Sequence, residues 1–354
     1  KNFLMNSEMT NSKKVMVTGA TGYIASWIIK YLLDEGYTVH AAIRNSSDEK
    51  KIKHLEKIKS SSKGVIRYFE SDLLSPDSYE SAMKGCEIVF HTASPFVMDS
   101  KDPQGEVIDP ALEGTRNVIK TVEKIKTVKK VILTSSIAAI YGNAEDAEDI
   151  PNKTFNEKMW NTSSRADDGE YSYSKTVAEK EAWRLNENQD RWKLVVINPS
   201  FVIGPALNPL ADFESKKFML QMGNGDLKMG VPDVNLAMVD VRDTARAHIL
   251  AAFNDNARGR YIISENSYKL INIGKYLRKI FGDKYPTPKF LAPKFIVWLF
   301  SPMLGVKRTF IRKNVGYDFY FDNQKSKDEL GMEYTDVNKS ASEFFQQFID
   351  HNLI

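Results

Sequence analysis

The residues Val17-Thr18-Gly19-Ala20-Thr21-Gly22-Tyr23-Ile24-Ala25 join a β-branched run, Lys14 to Thr18, to a segment with helical spacing, Gly22 to Glu35. In that segment Ile24, Ile28, Tyr31 and Leu32 lie along one side, and Gly36 ends it. Gly19 permits a tight turn, and Gly22 lets backbone approach a pyrophosphate. The amino end of the helix supplies N–H donors with no partner inside the helix. Ala25 stands where the helix must pack closely on a sheet. Glycines at this spacing occur in many turns. At the first strand–helix junction of a βαβ series they point to a dinucleotide site, with Thr21, Tyr23 and Ile24 in the same cradle.

Outward from that junction the pattern alternates. Strands are expected at Tyr37 to Ile43, Val65 to Phe69, Glu87 to His91, Val131 to Thr134 and Leu194 to Asn198. Helices are expected near 49–58, from Ser75-Pro76, near 107–125 and at 171–186. Such alternation builds a parallel sheet with helices on both faces, a Rossmann-type doubly wound α/β fold. After Pro199, prolines punctuate a loop-rich region. Ala237 to Ala252 reads as a strand end leading into a helix, and Arg260 to Ile263 as a last strand. The expected organisation is a flexible arm at 1–12 and a nucleotide-binding domain at 13–198, to which 236–266 returns. A smaller substrate-binding lobe, 199–235 with 267–354, then covers the carboxyl ends of the strands.

Several strand ends carry candidate site residues. An acidic residue at the end of the second strand suits a ribose 2′-hydroxyl. Here that strand ends in Arg44, whose guanidinium suits a 2′-phosphate, so NADP is preferred over NAD. Lys50 or Lys51 can add charge, and a plain surface role for Arg44 is the competing reading. Asp72, followed by Leu73, stands where it can meet an adenine. In His91-Thr92-Ala93-Ser94-Pro95 the small residues let backbone approach the middle of a cofactor. His91 itself reads as a packed histidine, and no second histidine at ligand spacing supports a metal.

Tyr171 and Lys175 are four residues apart on an expected helix and so share a face, whereas Tyr173 faces elsewhere. An ammonium beside a phenol favours phenolate, lowering its pKa toward working pH for acid–base chemistry. A bare Tyr-x-x-x-Lys arises by chance in many proteins. Ser136, just past a strand that ends Thr134-Ser135, lies on the ligand side of a parallel sheet and can hold a carbonyl oxygen beside Tyr171. No Gly-x-Ser-x-Gly elbow supports Ser136 as an acyl nucleophile.

The chain has 354 residues, 42% hydrophobic and 27% charged, which excludes general disorder and a small disulfide scaffold. With 49 basic and 46 acidic residues the net charge is +3, and no clustered basic excess suggests nucleic acid. The single cysteine, Cys86, reads as a buried inert thiol, which fits a reducing, cytoplasmic setting. The first thirteen residues lack the apolar core of a signal peptide. The most apolar stretch, Phe295 to Val306, is interrupted by Ser301-Pro302 and is short of the roughly 20 residues a membrane span needs. It is expected to be an amphipathic helix lining a substrate pocket.

Taken together, Thr18-Gly19-Ala20-Thr21-Gly22, Thr134-Ser135-Ser136, Tyr171-x-x-x-Lys175, Asn198 to Pro205 and Val239 to Asp243 resemble the extended short-chain dehydrogenase/reductases. The resemblance runs over roughly residues 13–265. Val89 to Pro95, Asp109 to Thr115, Tyr171 to Glu179 and Arg44 resemble the dihydroflavonol-reductase-like branch, which includes aldehyde, methylglyoxal and cinnamoyl-CoA reductases. It implies carbonyl reduction: NADPH passes hydride to the carbonyl carbon, Tyr171 protonates the oxygen and Ser136 holds it. Lys175 binds the nicotinamide ribose, and Pro199 and Val202 border the nicotinamide. Tyr141 stands near the place where plant dihydroflavonol reductases carry an Asn, which weakens a flavonoid substrate, and the cinnamoyl-CoA signature is absent. Phe96, Ile137, Tyr173 and Phe201 form a candidate apolar pocket, though each is equally compatible with ordinary core.

The expected partner is a small-molecule aldehyde or ketone, with no nucleic acid and no membrane span, in a monomer or homodimer. Two competing readings are an isomerase or epimerase of the same superfamily that keeps its cofactor, and a non-catalytic dinucleotide sensor.

Overall fold

The computed structural model describes residues 14–94, 100–187 and 189–354. The arm at 1–12 and Phe96 lie outside the described residues. The first half alternates as β1 (Lys14–Thr18), α1 (Tyr23–Asp34), β2 (Thr38–Ile43), α2 (Glu49–Ser61), β3 (Val65–Glu70), α3 (Glu80–Met83), β4 (Ile88–His91), α4 (Asp109–Lys124) and β5 (Lys130–Thr134). The two-residue β6 (Thr154–Phe155), then α5 (Glu170–Asn186) and β7 (Lys193–Pro199), complete that half. The helix expected from Ser75 begins only at Glu80, because Asp77 sits at φ 62° and breaks the turn.

The second half holds β8 (Phe201–Ile203), α6 (Glu214–Asn224), β9 (Asn235–Asp240), α7 (Val241–Phe253), β10 (Gly259–Ile263) and β11 (Asn266–Lys269). Then come α8 (Leu270–Phe281), α9 (Lys294–Phe300), α10 (Arg308–Asn314), β12 (Tyr320–Phe321), α11 (Gln324–Leu330) and α12 (Val337–Asp350).

Seven parallel strands form one sheet in the order β10-β7-β5-β4-β1-β2-β3. Strand side chains alternate strictly between its two covered faces. Val15, Val17, Phe90, Ile132 and Ile197 pack with α1, α2 and α7. Met16, Val89, Val131, Leu133 and Val196 pack with α3 and α4. Burying each such side chain is worth about 1.5–3 kcal/mol. The order in which successive strands are added reverses between β1 and β4, and that reversal opens a crevice outside their carboxyl ends. The fold is therefore the expected doubly wound α/β sheet.

The region read as loops after Pro199 contains a second sheet, β11-β9-β8. A three-residue strand is too short to show periodicity in sequence. Of residues 236–266, α7 packs on α1 and β10 extends the large sheet, while β9 lies in the small one. The small sheet shares a core with α6, α8 and α12, in which Phe344, Phe345 and Phe348 are fully buried. Helix α9 has no buried residue, and Pro302, Gly305 and Val306 just after it line an open cavity with Asp167 and Asp168. No helix among the described residues is long and apolar enough to cross a membrane.

The turn after β1 is locked by one side chain. Thr18 Oγ1 accepts the N–H of Thr92 at 3.1 Å and of Ala93 at 2.9 Å, and meets Nδ1 of buried His91 at 3.0 Å. Two accepted bonds use both hydroxyl lone pairs, so its one proton goes to Nδ1 of His91. Burial, with Lys175 nearby, pushes the His91 pKa down to about 3, so the ring stays neutral and can accept. Thr18→Val strands both N–H groups. It is expected to cost roughly 2–4 kcal/mol in urea unfolding, with Thr18→Ser close to wild type; an unchanged midpoint for the valine variant would overturn this account of the junction.

Candidate active site

Gly19 turns β1 into α1 at φ 60°, a left-handed conformation that glycine accepts without strain. A β-carbon there would stand 3.0 Å from Ala93 Cα, so β1 and β4 close tightly only around a glycine. Gly22 donates its N–H to Gly19 O at 2.9 Å, and a β-carbon on it would stand 3.0 Å from that oxygen. Gly22 also caps α1 with no side-chain hydrogen bond, leaving the first-turn N–H groups of Tyr23 and Ile24 without a side-chain cap. A bare, positively polarised helix end beside two glycines fits the pyrophosphate of a dinucleotide.

Tyr23 and Ile24 offer that cradle backbone only. The Tyr23 hydroxyl donates to Gly204 O at 2.6 Å and its ring stacks on Phe213 at 4.4 Å, while Ile24 packs into the core. Thr21 is half-buried in the turn. Thr92 needs correcting: its N–H goes to Thr18 Oγ1 and its hydroxyl to Thr18 O, so its polar groups hold β4 to β1 rather than face a ligand. Ala93 likewise spends its N–H on Thr18 and contributes close approach alone.

Arg44 stands exposed at the end of β2 and forms no ion pair among the described residues. Asp72 is exposed after β3, its Oδ1 accepting the Leu74 N–H at 2.8 Å. Both charges act on buried Tyr79, Asp72 raising its pKa and Arg44 lowering it, which places them around one point of the surface. Leu73 turns its side chain into the core, and its carbonyl accepts from Asn117 at 3.1 Å.

At the other side of the crevice, Gly169 at φ 88° starts α5, which carries Tyr171 and Lys175 one turn apart. Lys175 Nζ donates to Ser94 Oγ at 2.8 Å and lies 5.7 Å from the Tyr171 ring centroid. Ser136 follows β5 and caps a short 3₁₀ turn, its Oγ accepting from Ala138 N–H at 3.1 Å. Tyr171 is hydrogen-bonded to the Ser136 side chain. Ser94, Ser136, Tyr171 and Lys175 thus meet beside the ends of β4 and β5.

The expected depression of the Tyr171 pKa is not found. Burial dominates and raises it, Glu214 adds to the rise, and only the Ser136 hydrogen bond opposes it. The ammonium that was to lower it engages Ser94 instead. Burial lowers Lys175 to about 8, offset in part by Glu179. The site therefore holds a protonated phenol beside an ammonium that loses its proton just above neutrality.

A buried ionic cluster behind the pair was not anticipated. The Glu179 carboxylate accepts from Ser135 Oγ at 2.5 Å and Asn198 Nδ2 at 2.8 Å, and lies 2.6 Å from Arg260 Nε. Asn198 Nδ2 also donates to Ser136 O at 3.0 Å. Arg260 spends its remaining N–H groups on the carbonyls of Met159, Glu157 and Ala139 and stacks on Trp160 at 3.9 Å. A buried ion pair tolerates the loss of neither partner, since an unpaired ion in the interior costs about 3–5 kcal/mol. The cluster fastens α5 to the ends of β5 and β7. Its one sequence signal is the four-residue spacing of Lys175 and Glu179.

The candidate pocket residues separate. Ile137 is buried with Ile140, Phe155 and Phe319, so it is core rather than pocket lining. Tyr141 joins the same cluster, 5.1 Å from Phe319, and burial raises its pKa to about 12. Phe201 is half-buried with its ring edge-on to Phe218 at 5.1 Å. Tyr173 is half-buried on α5, its N–H donating to Gly169 O at 2.9 Å. Pro199 is buried where β7 pairs with Ile263, and Val202 is half-buried where β8 pairs with Val239. Cys86 is buried, with its thiol pushed up to about 12. Among the described residues no group of three or more His, Cys, Asp or Glu is placed to hold a metal.

Comparison with known proteins agrees with this geometry. Residues 15–274 match the NAD dependent epimerase/dehydratase family. The chain is 40% identical over 331 residues to cinnamoyl-CoA reductase CAD2 of Medicago truncatula, spanning 93% of each chain. It is 36% identical over 282 residues to an anthocyanidin reductase of Arabidopsis thaliana, spanning 76% of this chain and 80% of that one. Among solved structures, yeast methylglyoxal/isovaleraldehyde reductase Gre2 complexed with NADPH is similar at a TM-score of 0.77 and 26% identity, over 96% of this chain and 99% of that chain. The glycine turn on β1, the hydroxyl past β5 and the Tyr–Lys pair on α5 stand together in a chain that belongs to the NAD dependent epimerase/dehydratase family, the extended short-chain dehydrogenase/reductases, in the dihydroflavonol-reductase-like branch.

Proposed function

We propose that the chain is an NADPH-dependent oxidoreductase that reduces an aldehyde or ketone to an alcohol. The observation that carries this reading is the hydrogen bond between Tyr171 and Ser136, with Lys175 one helical turn away. When bound, the dinucleotide supplies hydride to the carbonyl carbon. The two hydroxyls converge on one point, where the carbonyl oxygen gathers negative charge. Donors fixed there before reaction are a large source of rate.

Tyr171 is held as a phenol by burial, the form a proton donor needs, and it gives its proton to the oxygen. Ser136 keeps its hydrogen bond to the same oxygen. The Lys175 ammonium, with Ser94 beside it, holds ribose hydroxyls and restores the proton to Tyr171. Gly19, Gly22 and the first turn of α1 hold the pyrophosphate. Arg44 grips the 2′-phosphate, and no acidic residue ends β2 to prefer a free hydroxyl. Two similar solved reductases, both named Gre2, are NADPH complexes at 26% identity, which supports the same choice here.

The relatives are named for cinnamoyl-CoA, anthocyanidin and methylglyoxal or isovaleraldehyde, of which the thioester and the aldehydes present a carbonyl group. Phe201 and Phe218 place apolar surface on the second-lobe side, which suits a carbonyl with a hydrophobic substituent. An epimerase reading rests on the name of the matched family. Net consumption of NADPH with added aldehydes separates the two, because an epimerase returns its hydride.

Tyr171→Phe is expected to bind NADPH normally by fluorescence titration but to lose roughly 10²–10⁴-fold in turnover; full turnover would remove the donor role. Arg44→Ala is expected to weaken NADPH by about tenfold or more while leaving NADH nearly unchanged, and equal losses would show that Arg44 does not read the phosphate. Reductive kcat/KM is expected to fall as pH rises through about 8, where Lys175 loses its proton. Tyr171, raised by burial, stays protonated through that range. The alkaline limb should vanish from the residual activity of Lys175→Met, and its persistence there would assign it to another group.

A further inference from the structure

Helix α9 and the turns on either side of it have a chemistry the reductase reading does not use. From residue 284 to 317 the chain carries seven lysines and arginines and no aspartate or glutamate, in a protein whose whole net charge is +3. The same stretch is strongly apolar and exposed. Phe295 is 70% accessible and Met303 83%, and Trp298, Leu299, Phe300 and Phe310 are also exposed. Exposed apolar side chains in such number mark an interaction surface. The pieces hold together as one surface unit: α9 contacts α10, and the Arg308 guanidinium stacks on the Trp298 ring at 4.4 Å.

We propose that α9 and its basic surround form a docking surface for an anionic lipid bilayer. Aromatic and aliphatic side chains flanked by lysine and arginine are the composition of helices that lie in the headgroup region. Five of the seven basic residues are lysines, which are depleted at protein–protein interfaces, and that favours phospholipid over a protein partner. Lys313 is tied to Asp168, Lys289 to Asp283 at 3.1 Å and Lys307 to Glu170 at 3.7 Å, but Arg308 and Arg312 remain exposed, and among the described residues the acidic partner of Arg312 is Glu145, at 3.9 Å. At seven residues, about 10 Å long, α9 lies on a bilayer and cannot span its roughly 30 Å core. The surface touches the segment leading into α5, where Lys307 lies 3.7 Å from Glu170 and donates to Asp167 O, but it includes none of Ser136, Tyr171 and Lys175, so its test reads lipid binding and not turnover.

The test is co-sedimentation of the full chain with vesicles of phosphatidylcholine alone and of phosphatidylcholine with added phosphatidylserine. The expected result is binding to the anionic vesicles on the order of tenfold tighter than to the neutral ones, weakened by salt. Phe295→Asp with Trp298→Asp should abolish binding while leaving thermal unfolding and NADPH binding unchanged. Arg308→Gln with Arg312→Gln, which removes charge from two exposed side chains and buries no new polar group, should weaken it by a similar factor and carries the test if the first variant does not fold. No preference for anionic vesicles, or variants that bind like wild type, would overturn the proposal. So would a dimer in vesicle-free solution that Phe295→Asp with Trp298→Asp makes monomeric, since a second copy of the chain would then be what covers α9.

Discussion

Gly19 packs against Ala93 with no space for a β-carbon, and the chemistry of this chain is arranged around that contact. The approach brings the carboxyl ends of β1 and β4 together at the point where the strand order reverses. Thr18 holds the junction closed with a hydroxyl whose three hydrogen-bonding positions are all used. Because the Thr92 and Ala93 N–H groups are consumed in that lock, the donors left for an anion are those of the uncapped first turn of α1. The glycine turn and the hydroxyl cluster thereby lie at two places along one crevice, with Ser94 touching Lys175 at its far side.

Burial, more than charge pairing, sets the protonation states at that far side. It raises Tyr171, lowers Lys175 to about 8 and drives His91 to about 3, so phenol, ammonium and neutral imidazole coexist near neutrality. Glu179 couples this electrostatics to structure. It ties α5 to Ser135, Asn198 and Arg260, and its charge partly restores the proton affinity that burial takes from Lys175. A buried cluster one turn behind Tyr171 and Lys175 limits the rotation of the helix that carries them. The geometry of Tyr171 against Ser136 depends on that limit.

The second lobe uses its apolar residues in two opposite ways. Phe344, Phe345 and Phe348 are buried on one face of the amphipathic α12, whereas the more apolar α9 has no buried residue. What the rest of the chain places over each helix makes that difference.

Residues 14–134 spelled out a parallel doubly wound sheet in their alternation of β-branched runs and helical spacing, since period and length are local properties of the chain. Gly19-x-x-Gly22 marked the phosphate turn for the same reason, and Tyr171 with Lys175 lay one helical turn apart by arithmetic. The three-residue β8 is below the length at which periodicity exists. Ile137 looked like lining but was claimed as core by Phe155 and Phe319, which come from distant segments. Glu179 and Arg260 met across more than eighty positions, and the direction of the Tyr171 pKa followed from walls assembled by several elements. Sequence alone determined which faces are apolar and which residues share a turn. Tertiary structure decided what covers those faces, because burial, and with it every protonation state in the site, is a sum over neighbours that no local stretch contains.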